Sequence, residues 1–141
     1  MNNHGVGIIV VRADGAVLMQ HRDKAIKGLV HADQWCYPSG EVEGNESFPT
    51  AARRELFEET GYQADEIHLV VEEPAIREDG YEFIRHVYWT AYEASQPIRC
   101  LEGQEMVFVS ESDFANKRFV KGHELIFRLA ISLARQAGVV A

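Results

Sequence analysis

The sequence has few cysteines and no long apolar run. Its 141 residues include two cysteines, Cys36 and Cys100, which are too few for a disulfide framework and favour a reducing compartment. No apolar stretch approaches the roughly 20 residues that a membrane-spanning helix needs. The first residues, MNNHGVG, do not resemble a signal peptide. We therefore expect a cytoplasmic protein with no membrane partner.

The sequence is also poor in positive charge. Fourteen lysines and arginines stand against 22 aspartates and glutamates, which gives a net charge of −8. A protein that binds along nucleic-acid grooves normally presents a basic surface, so this balance argues against such a partner. It does not exclude a nucleotide substrate, because a bound metal ion can supply local positive charge. Neither an internal repeat nor a linker divides the chain, and residues 1–141 are predicted to form one domain.

Several acidic residues are concentrated in one predicted helix. Ser47 can cap the N-terminus of this helix, and Gly61 can end it in the left-handed conformation. Glu55, Glu58 and Glu59 fall within an arc of about 100° on one helix face. Glutamates four residues apart repel each other, and acidic residues are disfavoured near a helix C-terminus. A solvated acidic face is the simpler interpretation. However, repeated unfavourable placements are typical of a functional site, and a divalent cation would turn each of them into an attraction.

A longer pattern surrounds this helix in residues 40–62, GEVEGNESFPTAARRELFEETGY. Gly40 is followed after five residues by Glu46, and after seven more by the run RELFEETGY, which begins at Arg54. This spacing closely resembles the signature of the Nudix hydrolases, G-x5-E-x7-R-E-U-x-E-E-x-G-U, in which U is a bulky apolar residue. Every fixed Gly, Glu and Arg is in register. The departures are Tyr62, where Ile, Leu or Val is commoner, and Ser39 and Asn45, where many members have glycine.

The resemblance implies the Nudix fold, which belongs to the α+β class. It is an α/β/α sandwich with a mixed sheet, on which the helix of the signature and a C-terminal helix pack. Apolar patterning predicts the strands and a closing amphipathic helix independently of the resemblance. The predicted strands are 6–12, 16–22, 35–38, 67–76 with a break at Pro74, 81–93 and 106–109; the helices are a short one from residue 110 and a long one over 121–137.

The resemblance also implies roles for the acidic residues. A bound Mg²⁺ or Mn²⁺ would be held by carboxylates and one backbone carbonyl, and the predicted ligands are Ser39, Glu55, Glu58 and Glu59. Glu55 is the first candidate for the general base that accepts a proton from the attacking water. Glu105 is the second, because the base varies among Nudix enzymes and many carry a further acidic residue in this region; Glu102 is the alternative there. The residues predicted to orient the ligands or shape the loop are Gly40, Glu46, Arg54 and Gly61.

Two residues outside the signature are predicted to contact the substrate. Arg22 ends a strand beside a loop over residues 23–34, where it could meet a phosphate; an exposed surface charge is the alternative. His86 lies on the strand over 81–93, one face of which is expected to line the cleft, and the pattern does not say which face. A structural role is the alternative for His86, as it is for His123 at the start of the last helix.

The resemblance leaves the substrate open. The compact length is similar to that of the MutT-like enzymes and favours a nucleoside triphosphate pyrophosphohydrolase. Hydrolysis of ADP-ribose, a nucleotide sugar or a dinucleoside polyphosphate is the alternative, since Pro74 and Tyr81 lie near positions that mark some of these classes. A nucleotide sensor without catalysis is a further alternative, against which the intact set of glutamates argues. Many Nudix proteins form homodimers, so the resemblance also allows a homodimer.

Overall fold

The computed structural model describes residues 3–23 and 33–141, so most of the predicted loop 23–34 lies outside the described residues. The mixed sheet with helices that the sequence predicts is confirmed. In chain order the elements are β1 (His4–Val11), β2 (Val17–His21), β3 (Trp35–Cys36), β4 (Ser39–Glu41), α1 (Phe48–Thr60), β5 (His68–Ile76), β6 (Glu82–Ala91), β7 (Glu105–Val109), a 3₁₀ helix (Glu111–Asn116) and α2 (His123–Gln136).

Strand β1 lies at the centre of the sheet. It runs parallel to β6 and antiparallel to β2 and β4, and the strand order along the main path is β3-β2-β1-β6-β5. Strand β7 pairs with β2 outside that path. All residues of β1 from Val6 to Val11 are buried, which agrees with the continuous apolar run expected of a strand covered on both faces.

The two helices cover opposite faces of the sheet. Alternate β1 residues divide between the two faces, as side chains of a strand must. Val6, Ile8 and Val10 pack with α1, and Ile9 and Val11 pack with α2. The sandwich therefore has two apolar layers, and the side chains that β4 and α1 contribute are separated by the sheet from those near α2. Among the described residues, no helix is long and apolar enough to cross a membrane.

Helix α1 has the ends that its sequence predicts. The Ser47 hydroxyl accepts a hydrogen bond from the Thr50 N–H at 3.2 Å, and this satisfies a backbone donor that has no acceptor within the helix. Gly61 adopts φ 75°, and its N–H donates to the Phe57 carbonyl at 2.8 Å. These caps fix the first and last residues of the helix. They therefore also fix the direction in which its glutamates point.

The predicted break at Pro74 is wrong. Strand β5 continues through Pro74, which lies opposite Ile84 of β6. The Ile84 N–H donates to the Asn3 carbonyl at 2.8 Å, on the side of β6 away from β5, so Pro74 and Ile84 exchange no backbone hydrogen bonds. Because β5 is an edge strand, the N–H that proline lacks is not needed for pairing on its other side. The predicted strand over 35–38 is also divided, into β3 and the separate strand β4.

We expect Leu56→Ala to lower the free energy of unfolding by about 2–5 kcal/mol, because truncating this fully buried α1 side chain leaves a cavity against the sheet. Phe57→Ala is the matched control. The neighbouring Phe57 side chain is 48% exposed, and its removal is expected to cost about 1 kcal/mol or less. Urea unfolding measures both values. Equal losses would contradict the packing of α1 through Leu56.

Candidate active site

A single guanidinium gathers the glutamates of the signature. Arg54 on α1 donates to Glu46 from Nε at 2.7 Å and from Nη2 at 3.0 Å, and its Nη2 also donates to the Glu41 carbonyl at 2.8 Å. Its Nη1 lies 2.9 Å from carboxylate oxygens of Glu55 and of Glu58. The hydrogen bonds with Arg54 hold the pKa of Glu46 below its usual range. Arg54 thus pairs with Glu46 and with two glutamates of α1, Glu55 and Glu58.

Strand β4 passes so close to α1 that Gly40 has no room for a side chain. A Cβ atom built on Gly40 would overlap the carboxyl group of Glu55. The residue pairs with Val6 in β1, so the backbone is held in place by the sheet and cannot move away. Glycine at this position therefore lets the Glu55 carboxylate lie against the β4 backbone. This close approach explains why glycine stands there without any appeal to unusual backbone angles.

Glu59 is the most deeply buried carboxyl group of the site, with 2% of its surface exposed. Its Oε2 accepts from the Ser39 N–H and its Oε1 from the Gln20 amide, both at 3.2 Å. Burial, together with the charges of Glu102 and Glu55, raises the pKa of Glu59 to about 9. Burial and the neighbouring negative charges therefore favour the protonated form of Glu59.

The carboxylates converge closely enough to hold a cation. One ligand oxygen from each of Glu43, Glu55 and Glu58 lies within 4.8 Å of the others. Carboxylate oxygens are the donors that Mg²⁺ and Mn²⁺ prefer, and Arg54 already supplies one positive charge at this point. The donor set fits a hard divalent cation. The sequence indicated Glu55 and Glu58 but missed Glu43, which precedes the helix in a loop, and for which only its proximity to Gly40 could have been a signal.

A cavity of about 290 Å³ opens beside this cluster. Ser39, Gly40 and Glu41 of β4 form one part of its wall, so it reaches the backbone against which Glu55 packs. Another part, which includes Val87, Val120 and His123, lies on the α2 side of the sheet. Its aromatic and cationic lining residues are Tyr37, Tyr81, Phe83, Arg22, Arg77, Arg85 and Lys121. An aromatic and positively charged cavity next to clustered carboxylates is suited to a nucleotide whose phosphates approach a metal ion.

The structure places the two predicted substrate contacts in different positions. Arg22 lines the cavity. His86 lies on the α1 side of β6, where its ring stacks on Phe48 with centroids 3.7 Å apart and hydrogen-bonds Glu72 and His4. His86 is not among the cavity-lining residues, whereas His4, its hydrogen-bond partner, is.

The two acidic candidates after β6, Glu102 and Glu105, also lie in different places. Glu105 begins β7, and its carboxylate lies 3.5 Å from Nδ1 of His21. Glu102 lines the cavity, and its charge is the largest electrostatic contribution, after burial, to the raised pKa of Glu59. Glu102, which the sequence analysis gave as the alternative to Glu105, is therefore the one that lies beside the glutamates of α1.

Two further residues of the site were missed. Gln20 is a polar residue inside the apolar strand β2, and Arg85 is a charged residue inside the buried part of β6. Each is a polar residue within a run of otherwise buried strand residues, and this interruption was the feature of the sequence that could have indicated a functional role. Gln20 donates to Glu59 and to the Glu102 carbonyl, both at 3.2 Å, so it connects the helix to the loop before β7.

Comparison with known proteins identifies the family of the chain. The NUDIX domain family matches residues 1–130. The chain belongs to the Nudix family. An RNA pyrophosphohydrolase of Xylella fastidiosa is 32% identical to this Nudix chain over 100 residues, which cover 70% of this chain and 42% of that protein. The match thus spans less than half the length of this relative.

Solved structures share the fold at low sequence identity. A MutT Nudix hydrolase from Burkholderia pseudomallei has a TM-score of 0.77 at 22% identity, covering 92% of this chain and 98% of that one. The NUDIX domain of Shewanella oneidensis NrtR, solved with ADP ribose, also has a TM-score of 0.77, at 15% identity, covering 94% of this chain and 88% of that one. The resemblance inferred from the signature is confirmed.

The raised pKa of Glu59 predicts a pH-dependent stability for the metal-free protein. Glu59 ionises near its ordinary value of 4.5 in the unfolded chain and at about 9 in the folded protein. Between these pH values the folded state binds more protons than the unfolded state, so this residue makes stability fall as pH rises. We expect the melting temperature of Glu59→Gln in chelator to exceed that of the wild type by a margin that grows from pH 5 to pH 9.

One pKa unit corresponds to about 1.4 kcal/mol, which shifts the melting temperature of a chain of this size by several degrees. Glu66→Gln, a substitution of a glutamate whose side chain is 83% exposed, is the control and should show no such trend. A margin for Glu59→Gln that stays constant or shrinks with rising pH would show that Glu59 is already ionised in the folded protein.

Proposed function

We propose that this Nudix protein hydrolyses a diphosphate linkage in a nucleoside diphosphate derivative, with Mg²⁺ or Mn²⁺ as cofactor. The observation that carries the proposal is the convergence of Glu43, Glu55 and Glu58, of which Glu55 packs against Gly40 in the cavity wall. A cavity alone would suit a binding protein. A cavity that ends at closely spaced carboxylates suits a protein that acts on phosphorus, because the substrate and the metal ion then meet at one place.

The glutamates of α1 would hold the cation. Glu55, Glu58 and Glu59 are the proposed carboxylate ligands, with the Ser39 carbonyl as a further one, and Glu43 is within reach. A bound cation would offset charge on the diphosphate and lower the pKa of a bound water. Glu59 would lose its proton as the ion binds, since ligands must be deprotonated. Arg54 and Glu46 keep the helix carboxylates oriented through their own hydrogen bonds.

Glu55 is the proposed general base. Burial raises its pKa above the usual value, which favours acceptance of a proton from the attacking water. It packs against the β4 backbone at Gly40, beside the cavity. Glu102 is the second candidate because it lines the cavity, and Glu105 is the third because the structure places its carboxylate beside His21.

The proposed substrate carries a nucleoside 5′-triphosphate group. The chain length is similar to that of MutT-like enzymes, which favours a nucleoside or deoxynucleoside triphosphate. The printed name of the Xylella fastidiosa relative favours the same group at the 5′ end of RNA. ADP-ribose, nucleotide sugars and dinucleoside polyphosphates remain alternative substrates, and a cytoplasmic location and a homodimer remain predictions.

Release of phosphate or pyrophosphate from a substrate panel tests this proposal. The panel contains deoxynucleoside triphosphates, a 5′-triphosphorylated dinucleotide, ADP-ribose, a nucleotide sugar and a dinucleoside polyphosphate, each with Mg²⁺, with Mn²⁺ and with chelator. We expect turnover of at least one compound that disappears in chelator. Tight metal-dependent binding of a compound without turnover of any would instead indicate a nucleotide sensor.

We expect Glu58→Gln and Glu59→Gln to lower kcat by at least about a hundredfold while the protein stays folded, because each removes a charged ligand and even residues that only orient ligands contribute about tenfold or more. Glu66→Gln on the exposed loop is the matched control and should keep full activity. Circular dichroism checks the fold of all three variants. Near-normal turnover of both α1 variants would show that Glu58 and Glu59 are not metal ligands.

A further inference from the structure

The cavity contains a buried cation whose hydrogen-bonding groups are not all used. Arg85 of β6 is 8% exposed and lines the cavity on the α2 side of the sheet. Among the described residues its Nε and Nη1 are buried and have no hydrogen-bond acceptor, while the guanidinium also interacts with the Tyr37 hydroxyl. The nearest carboxylate oxygen, on the half-exposed Glu73, is 3.6 Å from Nε, too far for a good hydrogen bond. Because an unsatisfied buried guanidinium is costly, Arg85 indicates an acceptor that is supplied from outside the chain.

The start of α2 adds positive charge at the same place. Gly122 is the residue before the helix, and a Cβ atom built on it would lie 3.0 Å from Nη1 of Arg85. Among the described residues no side chain caps this helix end, where the backbone dipoles make the potential positive. Lys121 also lines the cavity. A guanidinium, a lysine and a helix N-terminus repel one another. The half-exposed Glu73 and Glu124 of the first α2 turn, which pairs with Arg128, offset this positive charge only in part.

The acidic residues of the cavity lie on other elements. Glu41 belongs to β4, and Glu102 belongs to the loop before β7, next to Glu59. In the lining, Glu41 and Glu102 therefore lie toward the proposed metal site, and Arg85 and Lys121 lie beside α2. This polarity means that a single ligand could present one anionic group to each part of the wall.

We propose that Arg85, with Lys121 and the start of α2, binds a second phosphate group of the substrate, separate from the diphosphate at the glutamates of α1. The inference rests on the proposed function for the position of that diphosphate. Among the substrates considered above, it favours nucleotides that carry a phosphate on the ribose in addition to the 5′ diphosphate, whether a phosphomonoester or the phosphodiester of a following nucleotide. Simple nucleoside triphosphates and ADP-ribose lack this group and are expected to bind more weakly.

Binding of two small nucleotides tests the second phosphate without requiring turnover. Adenosine 3′,5′-bisphosphate and adenosine 5′-monophosphate differ only in the 3′ phosphate, and calorimetry in Mg²⁺ gives both affinities. We expect the bisphosphate to bind about ten- to a hundredfold more tightly, as charge-assisted hydrogen bonds to a buried guanidinium allow. Equal affinities would overturn the inference.

Variants then assign the preference to Arg85. Arg85→Met should abolish it by weakening the bisphosphate alone, and Arg85→Lys should keep part of it, because lysine provides the charge without the planar fork. Lys121→Met, at an exposed residue, should reduce it independently of any folding defect in the Arg85 variants. Arg53→Met is the matched control, since Arg53 of α1 donates to the Asp65 carbonyl and is absent from the cavity wall. If Arg85→Met weakened both nucleotides equally, Arg85 would contact a group common to them, and the inference would be wrong.

Turnover separates the failure of this inference from that of the proposed function. Coenzyme A and dephospho-coenzyme A, and a 5′-triphosphorylated dinucleotide and ATP, are two pairs that differ by a ribose phosphate of each kind. Metal-dependent turnover with no preference within either pair would retain the hydrolase and overturn the second phosphate site. A binding preference for the bisphosphate without turnover of any compound would support the second phosphate site and contradict catalysis.

Discussion

The convergence of carboxylates around Arg54 is the constraint on which the rest of the site depends. Glu55 and Glu59 repel each other along α1, and the macrodipole disfavours acids in its last turn. The molecule balances this charge in two ways. The guanidinium contacts four carboxylates, of Glu43, Glu46, Glu55 and Glu58, and burial favours the protonated form of Glu59. A divalent cation would neutralise the charge that protonation of Glu59 neutralises and part of the charge that Arg54 balances. The site is therefore suited to exchange a proton for a cation.

The sheet makes this convergence possible by holding strands against both sides of the helix glutamates. Strand β4 is paired to β1 and brings the Gly40 backbone against Glu55, while β2 brings the Gln20 amide to Glu59. Strand β1 separates the two layers, and the cavity meets the carboxylates of α1 at β4, where Ser39 contacts Glu59 and Gly40 contacts Glu55. The site is therefore built at the edge between the two layers of the fold.

How much could be predicted from the sequence depended on whether the information was local. The caps of α1 at Ser47 and Gly61 and the apolar run of β1 are local patterns, and the structure has them. Pro74 was read as a break because its tolerance depends on Asn3, which takes the N–H of the residue opposite. Gln20 contacts Glu59, which is 39 residues away in the chain, and Arg85 lies beside Gly122, which is 37 residues away. A periodic pattern in the sequence cannot predict contacts between residues so far apart.

The net charge of −8 and a cavity that is proposed to bind phosphate are compatible because the charges are distributed unevenly. Coulomb interactions between exposed charges are screened beyond roughly 8–10 Å, so distant surface acids contribute little inside the cavity. The potential there is determined by groups on its wall, and Arg85 is buried where screening is weakest. A negative surface together with one cationic corner disfavours long polyanions while admitting a small phosphorylated molecule. Such a combination selects for the size of the ligand as well as for its charge.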